Sequence, residues 1–159
     1  MKILLMLALL ASPAAAQNLL VNPSFEDGLA GWGYLEDRAG VVEPSSTAHD
    51  GAAGLLLTVP GTMPGAASLW QDVRGLSKGG RYCVSAWFLS LSEGGGFGMA
   101  VDEPEQRVAE VLVYGHPSGW TWARTCFNVE KRRVRVRIWP SPGLMGGGGW
   151  VDSVTLMAQ

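Results

Sequence analysis

The sequence predicts an all-β fold, a sandwich or barrel of short strands, on three observations. Apolar or alternating runs recur roughly every ten residues, Gly- and Pro-based turn signals separate them, and one run alternates without a break. In chain order the runs are Asn18–Val21, Gly40–Glu43, Ala53–Val59, Ser68–Val73, Arg81–Leu91, Gly96–Val101, Val108–Tyr114, Trp120–Val129, Val134–Pro140 and Trp150–Met157. The turns between them carry Asn22-Pro23, Asp27-Gly28, Pro60-Gly61, Pro64-Gly65, Gly79-Gly80, Gly94-Gly95-Gly96, His116-Pro117 and the stretch from Pro142 through Gly149. The unbroken alternation is Arg133 to Trp139, which puts Val134, Val136 and Ile138 on one face and Arg133, Arg135, Arg137 and Trp139 on the other. Tyr82 to Leu89 is instead apolar on both faces, as expected of a strand inside a sheet. The best helical candidate, Pro104 to Val113, suits a strand equally through Val108, Val111 and Val113. No internal repeat or linker divides the chain, so one domain is expected over residues 17–159.

Composition narrows the function. Of 159 residues, 47% are hydrophobic and 16% charged, which is too apolar for a disordered chain. A net charge of −2 gives no support for nucleic-acid binding. The 22 Gly and 9 Pro follow no collagen period. Two histidines exclude a His-rich metal site. Residues 1–16 read as a secretory leader: Met1-Lys2, an apolar run from Ile3 to Ala11, then Ala14-Ala15-Ala16 before Gln17. That run is too short to span a bilayer, and no later stretch is long enough. The expectation is a periplasmic or secreted protein. Export makes one disulfide between Cys83 and Cys126 the favoured reading; two buried thiols are the alternative.

Five motifs in series resemble one family. They are NLLVNPSFEDGLAGW (Asn18 to Trp32), HDGAAGLLLTV (His49 to Val59), SLWQDVRGLSKGGRYCVSAWF (Ser68 to Phe88), Trp120 followed by Phe127, and WVDSVTL (Trp150 to Leu156). Together they resemble the carbohydrate-binding modules of the galactose-binding-like group, the cellulose- and xylan-binding type, over nearly all of residues 17–159. The resemblance implies an antiparallel jelly-roll β-sandwich with Trp32, Trp120 and Trp150 in the core. It also implies a structural Ca²⁺ where the first and last strands meet, held by Glu26 and Asp152, with oxygens from Asn18 and the Asp50-Gly51 turn. The alternative is that Glu26 bonds turn amides and Asp152 caps a loop.

No catalytic motif is present. Glu26-Asp27, Glu36-Asp37, Asp102-Glu103 and Glu105 are candidate glycosidase carboxylates, and none sits in a recognisable catalytic sequence. Ser85 and Ser92 lack a nucleophile elbow, and Gly146 to Gly149 precedes a strand rather than a helix. The chain is therefore read as a non-enzyme. Sugar rings stack on aromatic faces, and their hydroxyls pair with planar polar groups. Arg135, Arg137 and Trp139 offer both kinds on one strand face. Trp122, Arg124 and Asn128 alternate on the preceding run, which is expected to pair with it, and Tyr114, Trp87 and Gln71 are further candidates. Steps of about 6.6–7 Å along the arginine row suit successive units of a polymer, and guanidinium suits uronate carboxylates. A plain solvated face is the competing account of that row. The function expected is exported, non-catalytic carbohydrate binding; the rival is a structural or adhesive envelope protein that uses the same sandwich to bind another protein.

Overall fold

A computed structural model describes residues 17–37, 40–60, 67–141 and 147–159. The expected leader, and the turns at Gly61, Pro64-Gly65 and Pro142 to Gly146, lie outside the described residues. The described residues form ten strands and no helix: β1 (Gly33–Glu36), β2 (Val41–Ser45), β3 (Gly54–Val59), β4 (Ala67–Arg74), β5 (Arg81–Ser90), β6 (Gly96–Glu103), β7 (Gln106–Tyr114), β8 (Thr121–Asn128), β9 (Arg133–Ser141) and β10 (Gly147–Ala158). They pair into two five-stranded antiparallel sheets. The front sheet runs β1-β4-β9-β6-β7 and the back sheet β2-β3-β10-β5-β8, which is the sandwich expected.

Alternation decides which side chains meet between the sheets. On the front sheet Leu69, Val73, Phe97, Met99, Val101, Val134, Val136 and Ile138 point inward and are buried. On the back sheet Leu55, Leu57, Val84, Ala86, Phe88, Val151 and Leu156 answer them. Phe88 and Phe97 touch across the gap with ring centroids 4.8 Å apart. Truncating either ring would cost about 3–5 kcal/mol, the usual range for a buried Phe. β5 lies between β10 and β8, consistent with its apolar character on both faces.

Three expectations are corrected and one open choice, between helix and strand, is decided. Residues 18–21 form no strand: the stretch up to Trp32 is bends and turns, with positive φ at Asn22 and Phe25. Its first residues nevertheless run beside β10, through Leu19 N–H to Leu156 C=O at 2.9 Å and Val154 N–H to Pro23 C=O at 2.9 Å. The Pro104 to Val113 stretch is no helix but the turn and second strand of the β6–β7 hairpin, with Glu105 in a left-handed turn conformation at φ 73°. The run containing Trp122 does not pair with the arginine strand. β8 bonds β5 in the back sheet, whereas β9 bonds β4 and β6 in the front sheet. The connection crosses between the sheets after buried Val129 and turns at Arg132, whose φ is 57°. Finally, Trp32 is buried as expected, but Trp120 and Trp150 are only half-buried. Val151 points inward, so its neighbour Trp150 must face out of the back sheet.

Cys83 and Cys126 sit directly opposite each other on β5 and β8 and are disulfide-bonded, with Cα atoms 4.0 Å apart. The bond closes a loop with a sequence separation of 43. Chain-entropy arguments then assign it about 3–4 kcal/mol. Replacing both cysteines by alanine is expected to lower the unfolding free energy by that amount in a denaturant titration. Intact-mass measurement after alkylation of the native protein is expected to show no free thiol.

Candidate functional site

The outer face of the front sheet collects four of the predicted ligand residues, Arg135, Arg137, Trp139 and Tyr114. β9 lies at its centre and presents Arg133, Arg135, Arg137 and Trp139 outward, because Val134, Val136 and Ile138 occupy the core. β4 contributes Trp70, Asp72 and Arg74 by the same alternation, with Leu69 and Val73 inside. β6 contributes Gly98, Ala100 and Asp102 opposite Trp139, Arg137 and Arg135. Tyr114 ends β7 opposite Gly96 and is 66% exposed.

Two indoles are set on this face by glycines. Gly98 is the direct partner of Trp139, and Gly33 of Trp70. A methyl group on either glycine would collide with the ring beside it. Each indole therefore lies down over its neighbouring strand, Trp70 over β1 and Trp139 over β6, instead of standing away from the sheet. In the order β1-β4-β9-β6 those strands are three spacings apart, on the order of 14 Å. Guanidiniums accompany both rings: Arg135 lies 5.5 Å from the Trp70 centroid and Arg107 5.2 Å from that of Trp139.

The polar groups between the rings are largely neutralised by one another. Arg135 grips Asp72 with two hydrogen bonds, Nε to Oδ1 at 2.7 Å and a terminal nitrogen to Oδ2 at 2.8 Å. That bond, aided by the charges of Arg135, Arg74 and Arg133 and opposed by burial, holds the Asp72 carboxyl below its usual range and raises Arg135. Arg107 donates to Asp102 at 3.0 Å and to Glu110 at 2.9 Å. Arg137 lies 2.9 Å from Asp102 Oδ2 but off the line of a hydrogen bond, so this contact is an ion pair only. Asp102 and its neighbour Glu103 point to opposite sides of β6. Glu103 is buried and accepts the amides of Glu130 and Lys131 at 2.6 and 3.0 Å. The two acids do not face each other as a glycosidase pair would.

The remaining predicted residues lie elsewhere. Trp87 and Trp122 are cross-strand partners on the outer face of the back sheet. Trp122 is 50% exposed, but Trp87 is covered by the His49 ring, stacked at 4.0 Å, which also meets Trp120 edge-on at 5.6 Å. Gln71 is buried and bonds both backbone groups of Val21, at 2.8 and 3.0 Å. Sequence reasoning missed Trp70, although Ser68, Trp70 and Asp72 alternate with Leu69 and Val73. The glycines beneath the indoles carry no sequence signal, because only strand register brings them there.

The four predicted calcium ligands gather where the first residues meet β10. Asp152 is fully buried, and its Oδ2 accepts the amides of His49 and Asp50 at 2.8 and 2.9 Å, its Oδ1 that of Ser153. Asn18 Oδ1 accepts Leu20 and Leu156 N–H, and its amide donates to Val154 C=O. Glu26 Oε1 accepts Ala52 and Ala53 N–H. Only Glu26 Oε2 and Asp50 Oδ2 receive no hydrogen bond among the described residues. Among those residues no three His, Cys, Asp or Glu side chains come together as a metal site. Calcium needs 6–8 oxygens, so these side chains do not complete a shell; backbone carbonyls and water would have to supply most of it.

No protein-family model matches the chain, and no curated protein matches it by sequence. Solved structures do match. The TmCBM61 module in complex with β-1,4-galactotriose superposes with a TM-score of 0.71 at 22% identity, over 90% of this chain and 99% of that one. A family 16 carbohydrate-binding module gives 0.65 at 21%, over 88% and 99%. The CBM22-1 xylan-binding domain of Xyn10C from Paenibacillus barcinonensis gives 0.66 at 15%, over 92% and 97%. These likenesses establish the jelly-roll sandwich fold.

One prediction concerns acid. Burial pushes the Glu103 carboxyl up, but the Lys131 and Glu130 amides, Gln106 and the Lys131 charge outweigh it and hold it below the usual 4.5. A carboxyl with a depressed folded value stabilises fully above its unfolded value. It loses that contribution as pH falls through the depressed one. Glu103→Gln is therefore expected to lower the urea midpoint at neutral pH and to flatten its further fall below about pH 4.5, measured as urea midpoints across that range.

Proposed function

We propose that this chain is an exported, non-catalytic carbohydrate-binding protein that holds a poly- or oligosaccharide against the outer face of its front sheet. The observation that carries the reading is the pair of indoles, Trp70 and Trp139, laid over Gly33 and Gly98 on one sheet face. Sugar rings present flat C–H faces, and an aromatic plane already lying along the sheet can receive them once the guanidinium over it gives way. The separation of the rings suits an oligosaccharide rather than a single sugar. Arg137, Asp102 and the Arg135–Asp72 pair lie between them to bond hydroxyls, and Tyr114 extends the aromatic surface. The front-face carboxylates Asp72, Asp102 and Glu110 are all engaged by arginines, which suits binding more than proton transfer. The matched modules bind sugars by their own descriptions. The disulfide fits an oxidising compartment. Trp122 and Trp87, on the other sheet, take no part in this site.

The test is affinity electrophoresis and calorimetry with β-1,4-galactan, xylan and a broad glycan array. Trp70→Ala and Trp139→Ala are each expected to weaken binding about tenfold, as loss of one stacking contact does, with little change in thermal stability. Gly98→Ala is expected to weaken binding as well, by lifting the Trp139 ring. Affinity indifferent to all three variants would overturn the site, and a glycan array with no hits would overturn the function.

Calcium is a subordinate part of the proposal, supported by the family resemblance and by the two uncommitted oxygens of Glu26 and Asp50. Added calcium is expected to raise the melting temperature above that in a chelator, and Glu26→Gln to abolish the difference. Identical melting curves would remove the ion.

A further inference from the structure

The front face ends in a cavity of about 310 Å³ beside the arginine end of β9. Four arginines, Arg74, Arg133, Arg135 and Arg137, and three acids, Asp72, Asp102 and Glu103, line it, and Arg74 and Arg133 are direct partners across β4 and β9. Like charges held directly opposite one another destabilise a sheet pair unless something of opposite sign lies between them. The acids that could answer them are already committed. Asp72 is gripped at two points by Arg135, and Asp102 is shared by Arg107 and Arg137. Glu103 turns inward to the Glu130 and Lys131 amides. The Arg74 and Arg133 side chains make no hydrogen bond or ion pair among the described residues, and both act on Asp72 only through space. The face thus has two chemistries: a neutralised, aromatic stretch at Trp70 and Trp139, and an end where two guanidiniums converge on an open cavity.

We infer that this cavity is an anion subsite, and that the preferred ligand is a saccharide carrying an acidic group, a carboxylate or an ester sulfate, held by Arg74 and Arg133. The inference rests on the reading of the front face as a sugar site and adds to it the class of sugar. It also places acid recognition at Arg74 and Arg133, not at Arg135 and Arg137, whose charges Asp72 and Asp102 already answer. Guanidinium is suited to the role because its planar fork matches the paired oxygens of a carboxylate or sulfate.

The experiment uses the mature chain with polymer pairs that differ in charge alone: polygalacturonate against its methyl ester, and dextran sulfate against dextran. Wild type is expected to bind one charged member about tenfold more tightly than its neutral twin, the effect of charge-assisted hydrogen bonds near a surface. The advantage is expected to fade as salt is raised, since the guanidiniums are exposed. The double variant Arg74→Gln, Arg133→Gln is expected to bind charged and neutral polymers alike, with affinity for neutral polymer unchanged and a melting temperature no lower than that of wild type, since it removes two opposed like charges. An advantage for polygalacturonate identifies a carboxylate, and one for dextran sulfate a sulfate. No advantage for either, or one that survives the double variant, overturns the inference while neutral binding through Trp70 and Trp139 leaves the function standing. A glycan array of neutral and acidic sugars with no hits overturns both.

Discussion

β9 sits at the centre of the front sheet, bonded on both sides, and its inward residues Val134, Val136 and Ile138 are almost wholly buried. Because side chains alternate strictly along a strand, a slip of one residue would drive three arginines and a tryptophan into the core. Its register with β4 and β6 is therefore held by the full hydrophobic cost of that exchange. That single parity decides what the outer face offers. It sets Trp139 beside Gly98, Arg137 beside Trp70, Arg135 between Asp72 and Asp102, and Arg133 beside Arg74.

The rest of the fold answers the demand that buried polar groups be satisfied. The turn-rich segment before β1 has no strand to complete, so side chains take the place of a neighbouring backbone. Gln71 pairs with Val21 as a strand would, Asn18 bonds β10 twice, and Asp152 gathers three amides at zero exposure. Glu103 does the same for the crossing between β8 and β9. Each of these residues would look like a ligand candidate in isolation, yet each is occupied in holding irregular chain to regular sheet.

The fold was largely legible because alternation is a local signal. Arg133 to Trp139 announces its two faces, and nine of the ten strands fall on runs visible in the sequence. β1 was missed because Gly33–Glu36 is short and lacks an inward apolar set. The site was only half legible. Which face each residue takes follows from its own strand, but which strands share a sheet depends on a crossing at Val129 to Arg132 that composition does not mark. Trp122 was thus assigned to the arginine face when it lies on the opposite side of the molecule. Trp70 was hidden by Gln71, a polar residue in an inward position whose reason, the backbone of Val21, is 50 residues away in sequence.

The disulfide has a mechanical side. β8 is an edge strand with β5 as its only partner in the sheet, and edge strands are where a sandwich frays. Cys83 and Cys126 lie on opposed positions, so the bond is a rivet across the last seam of the back sheet. A pull on β8 at Cys126 is passed through a covalent bond to β5, which is itself hydrogen-bonded to β10. Detachment of β8 at that end must therefore wait for β5 to move, while fraying remains open to the Thr121 end of the strand.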